Sequence, residues 1–304
     1  MRREAGQTWF ILVLDYDSSL SNSGPIFKTH KMKRALDTVN ERIMAAVIRR
    51  SPDPCERNQI PRLVAVSKLK PIQALMEAYA CGQRYFGENY IKELEFKSNC
   101  QQILEQCPDM KFHFIGNLQT NKVNQLLRTK NLHMVETIDS IKLADLLDRA
   151  IGKRQNEHEL EQLRFSTGLE NPPYSDRLKV LIQVNTSGEE QKNGIIPEKA
   201  SELANHIVTQ CKWLRLAGFM TIGRQGGWSG GPNQDFILLG EVRKNVAQEL
   251  AIDVNELELS MGMSSDFEEA IEMGSTNVRV GTLIFGERPR KESSPPVSAG
   301  DTVS

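Results

Sequence analysis

Neither sign of charge is in excess in this 304-residue chain: 38 basic residues stand against 39 acidic ones. With no global field, nucleic acid and anionic membrane surfaces are not expected partners, and a small molecule or a protein is. Cysteine pairs are missing too. The five cysteines (Cys55, Cys81, Cys100, Cys107, Cys211) are odd in number and scattered, with no Cys-x-x-Cys, and read as reduced thiols of an intracellular protein. The five histidines (His30, His113, His133, His158, His206) lack metal-ligand spacing, so no metal site is expected. Long hydrophobic runs are scarce as well. Trp9-Phe10-Ile11-Leu12-Val13-Leu14 stops at Asp15, too short to span a membrane or to form a signal core.

Beyond that run, Ser18-Ser19-Leu20-Ser21-Asn22-Ser23-Gly24-Pro25 has the composition of a flexible segment. Residues 1–31 are therefore expected to be a disordered extension, with Met32 a candidate start. Arg2 and Arg3 leave a mitochondrial pool open beside a cytoplasmic one, while Glu4, Asp15 and Asp17 argue against a transit peptide. At the other end, Glu292-Ser293-Ser294-Pro295-Pro296-Val297-Ser298 reads as part of a disordered tail, 289–304. The stretch 32–288 between them suffices for one barrel-sized domain.

From Leu63 onward, short apolar or β-branched runs alternate with amphipathic stretches, the pattern of a parallel sheet with helical crossovers. Strands are expected at 63–66, 84–86, 112–115, 134–138, 178–184, 214–220, 257–260 and 278–280. Helices are expected at 72–80, from the Gly87-Glu88-Asn89 turn to near Cys107, at 119–128 and 141–151, after Pro197, and at 235–250 and 266–273. This repetition fits a single (β/α)8 barrel of the TIM type. A doubly wound open sheet uses the same alternation. The barrel is favoured by the number of repeats, by the polar and Gly-rich loops after the strands, and by the lack of Gly-x-Gly-x-x-Gly after the first strand. An extra N-terminal helix, 35–48, is expected to cap the barrel bottom. Polar insertions at about 153–176 and 224–234 break the pattern, the second reading as a mobile Gly-rich loop.

Lys68 is placed where a short buried strand should end: Leu63-Val64-Ala65-Val66-Ser67 runs into it, and Pro71 closes the segment. Desolvation and nearby cations can make such an amine a nucleophile able to form a Schiff base. The segment alone does not separate this from an ordinary strand-end lysine. Closing the barrel sets Arg279 and the Gly281-Thr282 turn beside it. Barrels often bind phosphate with the loops after strands seven and eight, here Ser260-Met261-Gly262-Met263-Ser264-Ser265 and Arg279-Val280-Gly281-Thr282. Each offers a glycine for close backbone approach and a hydroxyl. Taken singly these are also ordinary turn formers, and Arg279 could pair with Glu268 or Glu269. Together, an amine, a phosphate site and an arginine describe a pocket for pyridoxal 5′-phosphate (PLP). A guanidinium cannot accept the proton of the pyridine nitrogen, so the ring beside it would be a weak electron sink, suited to binding or undemanding chemistry.

The chain resembles the pyridoxal phosphate homeostasis protein family, the alanine racemase N-terminal-like proteins. The matching stretches are Val64-Ala65-Val66-Ser67-Lys68, Phe86-Gly87-Glu88-Asn89-Tyr90, His113 to Lys122, Gln183-Val184-Asn185, Gly218 to Gly223, Leu259 to Ser264 and Val278 to Gly286. They span about 36–288. The resemblance implies that Lys68 holds PLP as an internal aldimine, that Arg279 contacts the pyridine nitrogen, and that Ser260, Gly281 and Thr282 hold the phosphate. Met261 and Gly262 belong to the same loop, and Asn89, Asn185 and Met220 would line the ring. Lys122 offers a second amine for hand-over, or else a solvated helix-start lysine. The family carries Thr or a similar residue where this chain has Leu69.

Racemases sharing this barrel use a second, β-rich domain that supplies a catalytic tyrosine, and the few residues after Gly286 leave no room for one here. The expectation is therefore a non-enzymatic carrier, a monomer or weak dimer, that buffers PLP and supplies it to PLP-dependent apoenzymes. The alternatives are a low-activity racemase or decarboxylase, and an interaction protein in which Lys68 is only structural.

Overall fold

The computed structural model describes residues 25–50, 60–164, 177–189, 192–224 and 231–287. The expected tail, residues 1–24 of the expected extension, and most of the Gly-rich insertion fall outside them. Helix α1 (Pro25–Arg49) precedes β1 (Arg62–Val66), α2 (Ile72–Ala80), β2 (Tyr85–Glu88), α3 (Ile91–Ser98), α4 (Gln101–Gln106) and β3 (Lys111–Phe114). Then follow α5 (Val123–Leu126), β4 (Leu132–Ile138), α6 (Ile141–Arg164), β5 (Leu178–Gln183), α7 (Ala200–Gln210) and β6 (Leu214–Met220). The series closes with α8 (Gln234–Glu249), β7 (Glu258–Ser260), α9 (Phe267–Glu272), β8 (Asn277–Val280) and α10 (Thr282–Phe285). Every strand is parallel to its neighbour in sequence, and β8 pairs with β1, Val64 lying opposite Arg279. The sheet is a closed barrel, and the open alternative falls away.

The strands alternate in what they carry, which sorts their side chains onto two faces. Phe112 and Phe114 flank His113, and Val135 separates Met134 from Glu136. The outward set joins the apolar faces of the helices in one continuous core. Met134, Leu181, Ala217 and Met220 form a separate cluster within the barrel. Around them the interior is polar, with His113, Glu136, Ser260, Asn277 and Arg279 all buried.

Helix α1 differs from the expectation in extent and place. It begins at Pro25, inside the expected extension, and does not cap the barrel bottom. Its buried residues Met32, Leu36, Val39, Ile43 and Ala46 recur at helical spacing, and it packs against α2, α9 and α10. The reason lies in the eighth crossover: α10 is a single turn, which leaves the outer ring open between α9 and α2, and α1 fills the gap. Arg42 donates to Glu268 at 3.1 and 3.2 Å, and Arg50 donates to the carbonyls of Ile271 and Ser275 at 2.6 and 2.7 Å. Elsewhere the helix expected to run to Cys107 is broken into α3 and α4, the one expected at 119–128 is a 3-10 turn followed by α5, and α6 runs to Arg164 through the start of the first insertion.

One glycine fixes the approach of β6 to β7. Leu216 pairs with Val180 but Gly218 pairs with Leu181, so Ala217 is an extra residue and the strand bulges. Gly218 has φ +143, and a Cβ there would sit 2.0 Å from the Glu258 carbonyl oxygen. Gly218→Ala is expected to lower the unfolding free energy by about 3 kcal/mol or more, combining backbone strain with overpacking. Urea denaturation measures this; an unchanged midpoint would show that the bulge can relax.

Candidate functional site

A cavity of about 360 Å³ opens at the C-terminal ends of the strands, the face where barrels of this kind carry their sites and a size suited to a small ligand. Lys68 stands just past β1, Asn89 past β2 and Ile115 past β3; Met220 and Ile222 come from the end of β6. Met263, Ser264 and Ser265 follow β7, Arg279 lies in β8, and Gly281 and Thr282 start α10.

Lys68 is half-buried on a tight turn. The amide of Lys70 donates to the Ser67 carbonyl at 3.0 Å, and Leu69, third in the turn, has φ +60. That is the signature of a type II turn, where glycine or asparagine is usual, and for leucine it costs about 1–2 kcal/mol. The residue after it binds the other side of the cavity. Lys70 Nζ donates to the carbonyls of Phe285, Gly286 and Glu287 at 3.0 to 3.1 Å, satisfying the end of α10.

Arg279 is held from two sides. One guanidinium nitrogen donates to Ser260 Oγ at 2.6 Å and the other to the Thr221 carbonyl at 2.7 Å. Ser260 Oγ in turn donates to Glu136 Oε2 at 2.5 Å, Asn277 Nδ2 donates to Glu136 Oε1 at 3.0 Å, and His113 Nδ1 lies 2.5 Å from the same oxygen. Burial opposes the charge of Glu136. Its contacts with His113, the field of Arg279 and the Ser260 hydroxyl outweigh that and hold the carboxyl at about 2. Burial lowers the pKa of Arg279, with Glu136 and Asp266 opposing. Arg279 does not pair with Glu268 or Glu269: Glu268 meets Arg42 and Arg49 on the surface, and Glu269 accepts from the Asn233 amide.

At the far end, the Gly281 amide donates to Ser264 Oγ at 3.3 Å, beside Thr282 and Ser265. The first amides of a helical turn have no intrahelical acceptor. A Cβ on Gly281 would stand 3.2 Å from the Val66 carbonyl oxygen, so this turn lies close on β1. Amides and hydroxyls here, an amine on the Lys68 turn and a guanidinium between them are the donor set that a phosphorylated pyridine aldehyde requires. Asn89 adds a buried Oδ1 with no partner among the described residues. The residues fit PLP.

Lys68, Asn89, Met220, Arg279, Gly281 and Thr282 are thus brought together in one wall. Four other expected residues are placed elsewhere. Ser260 is fully buried and does not line the cavity; its hydroxyl is engaged by Glu136 and Arg279. Met261 is buried in the apolar core. A Cβ on Gly262 would lie 2.6 Å from Ala270 Cβ, which makes Gly262 a packing glycine under α9. Asn185 organises the loop after β5, donating to the carbonyls of Glu189 and Lys192 and accepting from the Gly188 amide. Lys122 ends the 3-10 turn after β3, outside the wall. Sequence reasoning missed Lys70 and Glu136, and named Ser264 only as part of the loop after β7. Glu136 had a signal, an acid in the middle of the expected strand Met134-Val135-Glu136-Thr137-Ile138. Where no metal spacing was visible, the fold gathers donor atoms of Asp145, His206 and Cys211 within 4.8 Å of one another; Asp145 and His206 are hydrogen-bonded at 2.6 Å.

Residues 55–289 match the family model of the alanine racemase N-terminal domain. The chain is 46% identical over 270 residues to the human pyridoxal phosphate homeostasis protein, covering 88% of this chain and 90% of that one. PipY of Synechococcus elongatus, solved with PLP bound, is 29% identical with a TM-score of 0.58, over 84% of this chain and all of that one. Alanine racemase from Corynebacterium glutamicum, 12% identical with a TM-score of 0.51, aligns over 88% of this chain and 63% of its own, a likeness of fold alone.

The barrel interior makes stability depend on pH. His133 stacks on His113 with ring centroids 5.4 Å apart, and burial, followed by His113, Lys179, Arg62 and Lys111, pushes its pKa down to about 3. It is neutral in the fold, whereas the unfolded chain binds a proton below about 6.5, so stability falls as pH drops from there towards 3. Glu136 acts in a lower window: its contribution, full above about 4.5, is lost as pH falls towards 2. Urea midpoints measured between pH 6.5 and 3 are expected to fall less steeply in His133→Phe than in the parent. Equal slopes would refute the neutral His133.

Proposed function

The chain belongs to the pyridoxal phosphate homeostasis protein family, and from that premise we propose that it holds PLP on Lys68 and supplies it to PLP-dependent apoenzymes without strong catalysis of its own. The observation that carries this reading is the single cavity in which Lys68, Arg279, Ser264 and the Gly281-Thr282 turn converge. PLP contributes an aldehyde that condenses reversibly with a primary amine. Lys68 supplies that amine from the turn after β1. Arg279, fixed by Ser260 and Thr221, would meet the ring with a guanidinium that has no site to take up a proton. The Gly281 amide, Ser264 and Thr282 receive the phosphate. Strong electron-sink chemistry needs a protonated pyridine, and the cationic Arg279 opposes one. This favours holding and release. The free thiols Cys81, Cys100, Cys107 and Cys211 accord with a reducing compartment such as the cytoplasm.

Borohydride reduction of protein incubated with PLP, followed by peptide mass spectrometry, is expected to find the adduct on Lys68. Lys68→Ala should be neither labelled nor coloured, and colour that persists in it would sink the assignment. The double variant Ser264→Ala, Thr282→Val should bind PLP more weakly by about a hundredfold or more, the loss expected for two hydrogen bonds to a charged group. A panel of amino acids separates carrier from enzyme: turnover that vanishes in Lys68→Ala would replace the carrier reading with a catalytic one.

A further inference from the structure

Beneath the turn that carries Lys68 lies a second lysine, outside the cavity wall. Lys97, in the last turn of α3, has a side chain only 3% exposed, a place where an ammonium is stable only when fully hydrogen-bonded. Its three donors are all used: Nζ donates to the Ser67 carbonyl at 2.7 Å, to Glu88 Oε1 at 2.7 Å and to Glu93 Oε1 at 2.6 Å. Each acceptor is also bonded to the Lys68 turn. The Ser67 carbonyl accepts the Lys70 amide that closes it. Glu88 Oε1 accepts from the Ser67 hydroxyl at 2.6 Å, and Glu93 Oε1 accepts from the Leu69 amide at 2.7 Å. Burial raises the pKa of Glu88, and Lys97 is the leading influence against it. The backbone is thus gripped on both sides of Lys68, at the Ser67 carbonyl and the Leu69 amide. A leucine at φ +60 persists only where its surroundings over-determine it.

We propose that Lys97, set between Glu88 and Glu93, is the positioning residue for Lys68: it locks the turn in its positive-φ form and so aims the Lys68 amine into the cavity. This rests on the reading of Lys68 as the covalent anchor. An amine delivered on a loose turn still approaches the aldehyde, but from many directions, and imine formation is sensitive to misplacement of this kind. The phosphate end, built from residues after β7 and β8, does not depend on the clamp.

The test compares two ligands on the intact protein. PLP can form the imine with Lys68, while pyridoxamine 5′-phosphate keeps the ring and phosphate but has no aldehyde. In Lys97→Met, the rate at which borohydride-trappable adduct accumulates should fall about tenfold or more, while affinity for pyridoxamine 5′-phosphate stays within about twofold. Should Lys97→Met fail to fold, Glu93→Ala decides, because it removes the oxygen shared by Lys97 and Leu69 and leaves the Lys97–Glu88 pair in place; the same split is expected. Parallel loss towards both ligands would mean a merely structural role and overturn the proposal, as would an unchanged adduct rate. A parent protein that binds pyridoxamine 5′-phosphate yet forms no adduct on Lys68 would instead overturn the anchor reading beneath it.

Discussion

The pairing of β8 with β1 is the constraint on which the rest of this structure depends. Val64 lies opposite Arg279 in that pair, so the strand that ends near Lys68 and the strand that bears the arginine run side by side. Closure also brings α10 against β1, where Gly281 has room for no side chain without pressing on Val66. Lys70 then ties the far end of α10 to the turn that carries Lys68. Amine, guanidinium and the Gly281-Thr282 turn are therefore parts of one seam. A residue that loosens the seam loosens all three.

Inside the barrel a second constraint operates. The chain of hydrogen bonds from His113 through Glu136 and Ser260 to Arg279 supplies a buried counter-charge to the arginine. A buried charge left alone would be costly, and breaking one partner of such a pair costs about 3–5 kcal/mol. The network thus lets the protein keep a buried cation facing its cavity.

Much of this was legible in the residue order. The strand and helix alternation after Leu63, the strand-end lysine and the Arg279 to Thr282 segment could all be read directly, because short-range periodicity encodes which face of an element is buried. Other parts could not. Both Ser260 and Ser264 are hydroxyls on one loop, and only their depth in the folded barrel assigns the first to Arg279 and the second to the Gly281 amide. Asn185 looks like a polar residue past a strand, as a ring contact would, yet its side chain is consumed by the turn that follows it.

The sequence by itself determined the fold class and the chemistry available: a parallel eightfold alternation, the Lys68 amine past the first strand and an arginine on the last. The tertiary structure decided what that chemistry meets. It sent α1 into the gap left by the short α10, because an apolar helix face is buried wherever the ring is open. It also set Lys97 beneath Lys68, although the two lie far apart along the chain. Hydrophobic periodicity is local and survives in one dimension, whereas a hydrogen bond between α3 and the turn after β1 exists only once β2 has been laid beside β1.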